Sequence, residues 1–280
     1  MPIANQAGPA SNSYNAAVAM EFFRSAGKPK TFAKGRKIFA ENQRGIPFLL
    51  MPNRMYLLLD GEVAIFAKDK PLATVRPVEI FGEMASIDQG PRSATAVARS
   101  TCRVIALDRR QLQTALGKRP EFALMLMSVM IARLRESLGR LGVSDTSPRV
   151  AGSRKSVPLR NDLVAALTRA LGPEARHSYQ AGKIILMEGQ PGVLMFVVLR
   201  GRVTIHVGES LVETVGPGGV FGEMALVDRT PRLASAVAES ECTLLAINRN
   251  AFLNLAKSSR RFAASLLAAV SERARFMTSR

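Results

Sequence analysis

Short segments that alternate apolar and polar positions recur in both halves of the 280-residue chain. Met55 to Phe66 and Leu72 to Val75 form one set, Met195 to Val207 and Leu211 to Val215 a second. Ala94 to Ala98 with Arg103 to Leu107, and Ala234 to Ala238 with Thr243 to Ile247, continue the pattern. A two-residue period puts successive side chains on opposite faces of a strand. Strands this short, evenly spaced and punctuated by Gly and Pro, predict an antiparallel sandwich or barrel. The period then changes. Glu121 to Leu141 sets Phe122, Met125, Met127, Met130, Ile131, Leu134 and Leu138 three or four residues apart, which predicts an amphipathic helix. Arg261 to Met277 does the same with Phe262, Leu266, Leu267, Val270, Ala274 and Met277. Each helix is expected to cover the sheets of its own half, and the methionine cluster of the first suits a surface that repacks.

The two halves are copies. Pairing each residue from Gly61 to Arg109 with the one 140 positions further on gives 22 identities in 49 positions. The densest run is Phe81-Gly82-Glu83-Met84-Ala85, Asp88 and Pro91-Arg92, which returns as Phe221-Gly222-Glu223-Met224-Ala225, Asp228 and Pro231-Arg232. A shared core pattern would repeat residue classes. Here the same Gly, Glu and Arg recur at the same spacing, which is the signature of one binding site present twice.

The chemistry of that run is readable. Gly82 and Gly222 permit a turn or a close backbone approach. A short helical turn beginning there directs free amides outward, and those suit an anion. Arg92 and Arg232 offer a planar fork of donors matched to phosphate, with the amides of Ser93 and Ala94, or Leu233 and Ala234, beside them. An ionised Glu83 or Glu223 is an acceptor only, suited to a sugar hydroxyl and unsuited to phosphate. Together these groups describe a pocket for a small phosphorylated sugar. An ion pair that merely pins a turn is the alternative for one Glu–Arg pair, and degeneracy of one of the two copies is a milder one.

The stretches FGEMASIDQGPRSATAVA and FGEMALVDRTPRLASAVA resemble the phosphate-binding cassette of cyclic nucleotide-binding domains. The likeness extends through Gly61 and Gly201, and back to Gly35 with Glu41 and Gly182 with Glu188-Gly189-Gln190. It implies a mainly β fold with α (α+β): two antiparallel jelly-roll barrels, each with flanking and C-terminal helices. It implies that Glu83 and Glu223 hold the ribose 2′-hydroxyl and that Arg92 and Arg232 hold the cyclic phosphate. Phe81, Gly82, Met84, Ala85, Ser93 and Ala94 would line the first site, and Phe221, Gly222, Met224, Ala225, Leu233 and Ala234 the second. The ligand would be cAMP or cGMP, with no other cofactor. A hydroxyl after the arginine can reach the guanine amino group, so Ser93 permits either nucleotide while Leu233 favours cAMP.

Length and charge add the organisation. A flexible N-terminal tail (1–19), a first domain (20–141), a basic flexible linker (142–160) and a second domain (161–280) are expected. No run of 18 apolar residues occurs, so no membrane span is expected and cytoplasm is the default. Cys102 and Cys242 are repeat counterparts, read as buried free thiols and too few for a four-thiolate cluster. The net charge of +17 concentrates in three segments. Arg24 to Arg44 has seven basic residues against one acidic, Arg99 to Arg160 thirteen against four, and Arg249 to Arg280 seven against one. Such surfaces suit an acidic partner, whether protein, nucleic acid or anionic membrane, unless the whole proteome is basic.

No nucleophile–base pair or metal cluster is visible, so the chain is expected to be no enzyme. No helix-turn-helix domain is expected after the second helix. The expectation is a tandem receptor that signals by helix repositioning, as a homo-oligomer or as an intrachain pseudo-dimer through its C-terminal helices. The alternatives are a nucleic-acid-associated regulator and a regulatory subunit of an enzyme. One further asymmetry is the apolar insertion Gly45 to Asn53 (GIPFLLMPN) of the first half, read as a docking loop or a longer hairpin tip.

Overall fold

The computed structural model describes residues 15–45, 53–119, 121–142 and 154–278. The tip of the apolar insertion, residues 46–52, lies outside them, as do the first fourteen residues and the middle of the expected linker. The first repeat opens with α1 (Ala16–Ala26), whose N-cap Asn15 accepts from the amides of Ala17 and Val18. Eight strands follow: β1 (Lys28–Phe32), β2 (Lys37–Phe39), β3 (Arg54–Asp60), β4 (Val63–Ala67), β5 (Lys70–Val75), β6 (Ile80–Phe81), β7 (Thr95–Ala98) and β8 (Cys102–Asp108). The six-residue α2 (Glu83–Asp88) interrupts them, and α3 (Arg109–Lys118) and α4 (Glu121–Gly142) complete the repeat.

The second repeat runs β9 (Arg154–Lys155), α5 (Asn161–Leu171), β10 (Arg176–Tyr179), β11 (Ile184–Leu186), β12 (Leu194–Arg200), β13 (Val203–Val207), β14 (Ser210–Val215) and β15 (Val220–Phe221). Then come α6 (Met224–Asp228), β16 (Ser235–Ala238), β17 (Cys242–Asn248), α7 (Arg249–Ser258) and α8 (Arg260–Thr278). Strands β3–β5, β7, β8, β12–β14, β16 and β17 and both long helices fall where the periodicity places them, while β1, β2, β6, β9–β11 and β15 are not marked by it.

Each repeat builds two sheets with matching pairings, 140 residues apart from β3 and β12 onward and 147 apart for β1 and β2 against β10 and β11. The orders are β1-β8-β3-β6 and β2-β7-β4-β5 in the first, β10-β17-β12-β15 and β11-β16-β13-β14-β9 in the second. Met55 faces Leu107 as Met195 faces Ile247. Apart from β9, which runs parallel to β14, every pairing among these strands is antiparallel. The core lies between the sheets. Tyr56, Leu58, Phe81 and Val104 of one sheet meet Phe39, Val63, Val75 and Ala96 of the other in the first repeat. The second repeat packs Phe196, Val198, Phe221 and Leu244 against Val203, Val215 and Ala236. Both cysteines are buried free thiols in these cores.

Two compact units result, and they do not coincide with the repeats. One is Asn15–Leu124 with Ala256–Arg280, the other contains Met125–Leu255. The helix that follows the second repeat therefore belongs to the unit of the first repeat's sheets, where α8 packs on α2. Most of α4 belongs to the unit of the second repeat's sheets. The expectation that each long helix covers its own half is corrected here: the helices are exchanged. Amphipathicity dictates that a helix buries one face, and it leaves open which sheet that face meets.

Residues Arg154 to Arg160 of the expected linker lie along the second repeat. Arg154 and Lys155 pair with β14, the amide of Leu159 donates to Gly218, and Arg154 is ion-paired with Glu213 at 3.1 Å in a largely buried position.

Candidate functional site

The shared run folds identically in both repeats because the strands around it are in identical register. β6 pairs with β3 (Tyr56↔Phe81) and β15 with β12 (Phe196↔Phe221), which delivers Gly82 and Gly222 to the end of a core strand. Both glycines are left-handed, at φ +71° and +83°. A side chain there would be strained and would also collide. A Cβ on either would sit 2.9 Å from the Nη1 of Arg92 or Arg232. The short helix α2 begins at Glu83, directly after Gly82, and α6 at Met224, with Glu223 as its N-cap.

Arg92 and Arg232 are buried, at 5% and 7% exposure, and each is held by two backbone carbonyls. Arg92 donates from Nη1 to Gly82 O and from Nη2 to Arg54 O, both at 2.8 Å. Arg232 donates to Gly222 O at 2.7 Å and to Leu194 O at 2.6 Å. The backbone is equally constrained. Arg92 exchanges amide–carbonyl bonds with Asn42 and Gln43, and Arg232 with Gly189 and Gln190. A buried guanidinium fixed by neutral carbonyls is oriented but keeps its charge uncompensated by them, which is the arrangement an incoming anion would complete. Burial brings Arg92 down to about 10, opposed by the nearby Tyr56 and Glu83, so it stays cationic at neutral pH. Burial also lowers Arg232, opposed by Glu223.

Glu83 and Glu223 are almost fully buried within reach of those arginine charges. The Oε2 atom of each has no hydrogen-bond donor, although both carboxylates take part in other contacts. Phe81, Ala85 and Ala94 are buried in the first repeat, as are Phe221 and Ala225 in the second. Met84 is buried and its sulfur accepts from the Ser93 hydroxyl at 3.6 Å, whereas Met224, Leu233 and Ala234 are half-buried.

Several neighbours of the cassettes escaped the sequence reading. Arg92 lies over the ring of Phe39, 4.1 Å from its centroid, in a stack that continues through Tyr56 and Phe81. Leu186 occupies the corresponding place beside Gly222, so the second arginine lacks this aromatic bed. Glu41 and Glu188, within the repeated pattern, are structural. Their carboxylates accept from the amides of Lys68 and Gly208, tying a hairpin turn to the neighbouring strand. Asp88 and Asp228 also proved to be anchored by arginines of the long helices. The one available signal was the 140-residue offset, which Arg135 and Arg275 share with every cassette residue.

Among the described residues, no group of three or more His, Cys, Asp or Glu could hold a metal ion, and no helix is long and apolar enough to cross a membrane.

The cyclic nucleotide-binding domain family matches residues 29–119 and again 176–259, more than half of the chain, and both matches enclose a cassette. The chain belongs to that family. Its two cyclic nucleotide-binding domains resemble a cAMP-dependent protein kinase regulatory subunit of Eremothecium gossypii, 28% identical over 231 residues, covering 81% of this chain and 43% of the relative. A CRP-like cAMP-activated global transcriptional regulator of Mycobacterium tuberculosis is 30% identical over 132 residues, 44% of this chain and 56% of the regulator. The chain thus spans about half the length of these relatives. Among solved structures, the regulatory domain of Toxoplasma gondii PKA in co-crystal with cAMP is 20% identical, with 87% of this chain and 86% of that one covered and a TM-score of 0.30.

Proposed function

We propose that the chain is a cyclic nucleotide receptor with two sites, each taking cAMP or cGMP, that regulates a partner by moving its long helices. The observation that carries this reading is the pair of buried arginines, Arg92 and Arg232, aimed by two carbonyls each and set beside a buried glutamate. In each site the arginine takes the cyclic phosphate and the glutamate takes the ribose 2′-hydroxyl. Gly82, Ala85 and Ala94, with Gly222, Ala225 and Ala234, let the ligand approach the backbone, and Phe81, Met84, Ser93, Phe221, Met224 and Leu233 line the walls. The two sheets of each repeat wrap into a jelly-roll barrel around this pocket. The expected bounds, 20–141 and 161–280 with a linker at 142–160 and a tail at 1–19, mark the two repeats, but α1 already starts at Ala16, Arg154–Arg160 pack on the second repeat, and the long helices are exchanged between the compact units.

The protein is a non-catalytic regulator of the cytoplasm, and its partner is an acidic protein such as an enzyme that it controls. Its relatives, a kinase regulatory subunit and a transcriptional regulator, support a regulatory role, whether the chain acts as a homo-oligomer or as an intrachain pseudo-dimer. The concentration of the +17 charge outside the cassettes favours nucleic acid as the second reading of the partner.

Calorimetry of the nucleotide-free protein tests the receptor. Two molecules of cAMP or cGMP should bind per chain, and Arg92→Ala or Arg232→Ala should remove one each. Truncating one partner of a buried charged contact costs about 2–5 kcal/mol, roughly 30- to 3,000-fold in affinity. Two undiminished sites in the double variant would overturn the assignment.

A further inference from the structure

The short helix of each cassette ends in an aspartate that faces an arginine from far along the chain. Arg275 of α8 forms a bidentate pair with Asp88, Nε to Oδ2 at 2.8 Å and Nη2 to Oδ1 at 2.7 Å, and its Nη1 donates to the carbonyl of Pro91. Arg135 of α4 meets the same three acceptors in the other cassette: Asp228 Oδ2 at 2.6 Å, Asp228 Oδ1 at 3.3 Å and Pro231 O at 3.2 Å. Both aspartates are nearly buried, at 2% and 5% side-chain exposure, and both arginines are mostly buried. Each aspartate also accepts from the turn it begins, from the amide of Gly90 in one case and from the amide and hydroxyl of Thr230 in the other. Pro91 and Pro231 directly precede Arg92 and Arg232. The distant arginine therefore grips both ends of the short segment that carries the phosphate-binding arginine.

The pairing is crossed. Asp88 and Asp228 are 140 residues apart, and so are Arg135 and Arg275. Had each long helix served its own repeat, Arg135 would meet Asp88. It meets Asp228, and the helix after the second repeat holds the first cassette. In the first cassette Ser271 adds to the grip, donating to Asp88 Oδ2 at 3.2 Å from a fully buried position, and a Cβ on Gly90 would lie 2.7 Å from Arg275 Cζ.

We propose that Arg275 and Arg135 are positioning residues, and that each completes the binding site of the other repeat by fixing the segment between the cassette helix and the phosphate-binding arginine. The proposal rests on the receptor reading above for its ligand, while the crossed contacts are independent of that reading. Neither site is then complete within its own half of the sequence.

The test uses the full chain with cAMP as the probe, in single-site backgrounds. In Arg232→Ala, which keeps the first site, Arg275→Ala should weaken binding about 10- to 100-fold, the loss typical when a group that orients a ligand-holding side chain is removed. Arg135→Ala should have far less effect there. In Arg92→Ala the pattern should reverse. Arg275→Lys keeps the charge but not the bidentate grip, and should fall between the wild type and the alanine variant. Losses confined to the same half of the sequence as the substitution, or no loss, would overturn the proposal.

Hydrogen exchange on the ligand-free protein supplies a readout that needs no nucleotide. Arg275→Ala should deprotect the amides of residues 83–92 and spare those of residues 223–232. If wild-type protein binds no cAMP while this crossed exchange pattern holds, the receptor reading fails and the positioning role stands. Equal deprotection of both segments would sink the positioning role whatever binds.

Discussion

At the scale of single residues the site is a problem in orienting a buried cation. Arg92 could have been neutralised by a carboxylate at contact distance, and instead both arms of its fork rest on carbonyl oxygens. Gly82 makes that possible, and Gly82→Ala should show it: an L-residue in the left-handed region costs about 1–2 kcal/mol. The new Cβ also presses on the guanidinium, so chemical denaturation should report lost stability and calorimetry a parallel loss at the first site. Because burial brings Arg92 to about 10, its charge is present throughout the neutral range and disappears as pH rises through that value. Affinity at the first site, measured in Arg232→Ala, should be level below about pH 10 and decline above it. The neighbouring position carries a test of base preference. Ser93 carries a hydroxyl where Leu233 does not, and a guanine amino group left without a partner in a closed pocket costs about 1–3 kcal/mol. The second site, measured in Arg92→Ala, should prefer cAMP, and the first should discriminate less; tighter cGMP binding in Arg92→Ala would refute this.

At the scale of elements, local signals and long-range packing separate cleanly. The start of α3 is local. Asp108 accepts from the Gln111 amide and Gln111 returns a side-chain acceptor to the Asp108 amide, a capping box. Asp108→Ala should cost about 1 kcal/mol of stability and leave both ligand affinities unchanged. The attachment of β9 is the opposite case. Two residues of strand cannot persist alone, and the largely buried pair Arg154–Glu213 holds them against β14. Glu213→Ala strands a buried guanidinium, a loss of about 3–5 kcal/mol in comparable pairs, and limited proteolysis should then cut at the linker. The long helices combine both kinds. Their extent was legible from apolar spacing, to within a residue at each end, whereas their partners were not. The arginines that select those partners look, in sequence, like any other cation on a polar face.

At the scale of the whole molecule, two sites in one chain should add their stabilisation. A ligand at about 100 times its Kd stabilises the folded state by about 2.7 kcal/mol per site. Wild-type protein should therefore gain about twice what either single-site variant gains, read from thermal unfolding with saturating nucleotide. The charge distribution bears on the partner. If the basic helices and entry segments meet nucleic acid, log affinity should fall linearly with log salt, at close to 0.9 per phosphate contact. An enzyme partner would instead co-purify in fixed ratio and respond to nucleotide. A flat salt dependence would remove nucleic acid from consideration.

The sequence by itself determined the repeat, the strands on either side of each cassette and the long helices, and it singled out the Gly, Glu and Arg that the fold brings together. Those depend on local spacing and on residue types that few other environments demand, such as a left-handed glycine followed by a glutamate and, nine residues later, an arginine. It could not determine what lies beneath each arginine, because Phe39 and Leu186 reach the cassettes from strands that precede them by 42 and 35 residues. Nor could it determine which helix meets which cassette. Two halves with the same pattern offer α4 and α8 equivalent apolar faces in either arrangement. Only the tertiary structure resolves that degeneracy, through the crossed pairs Arg275–Asp88 and Arg135–Asp228.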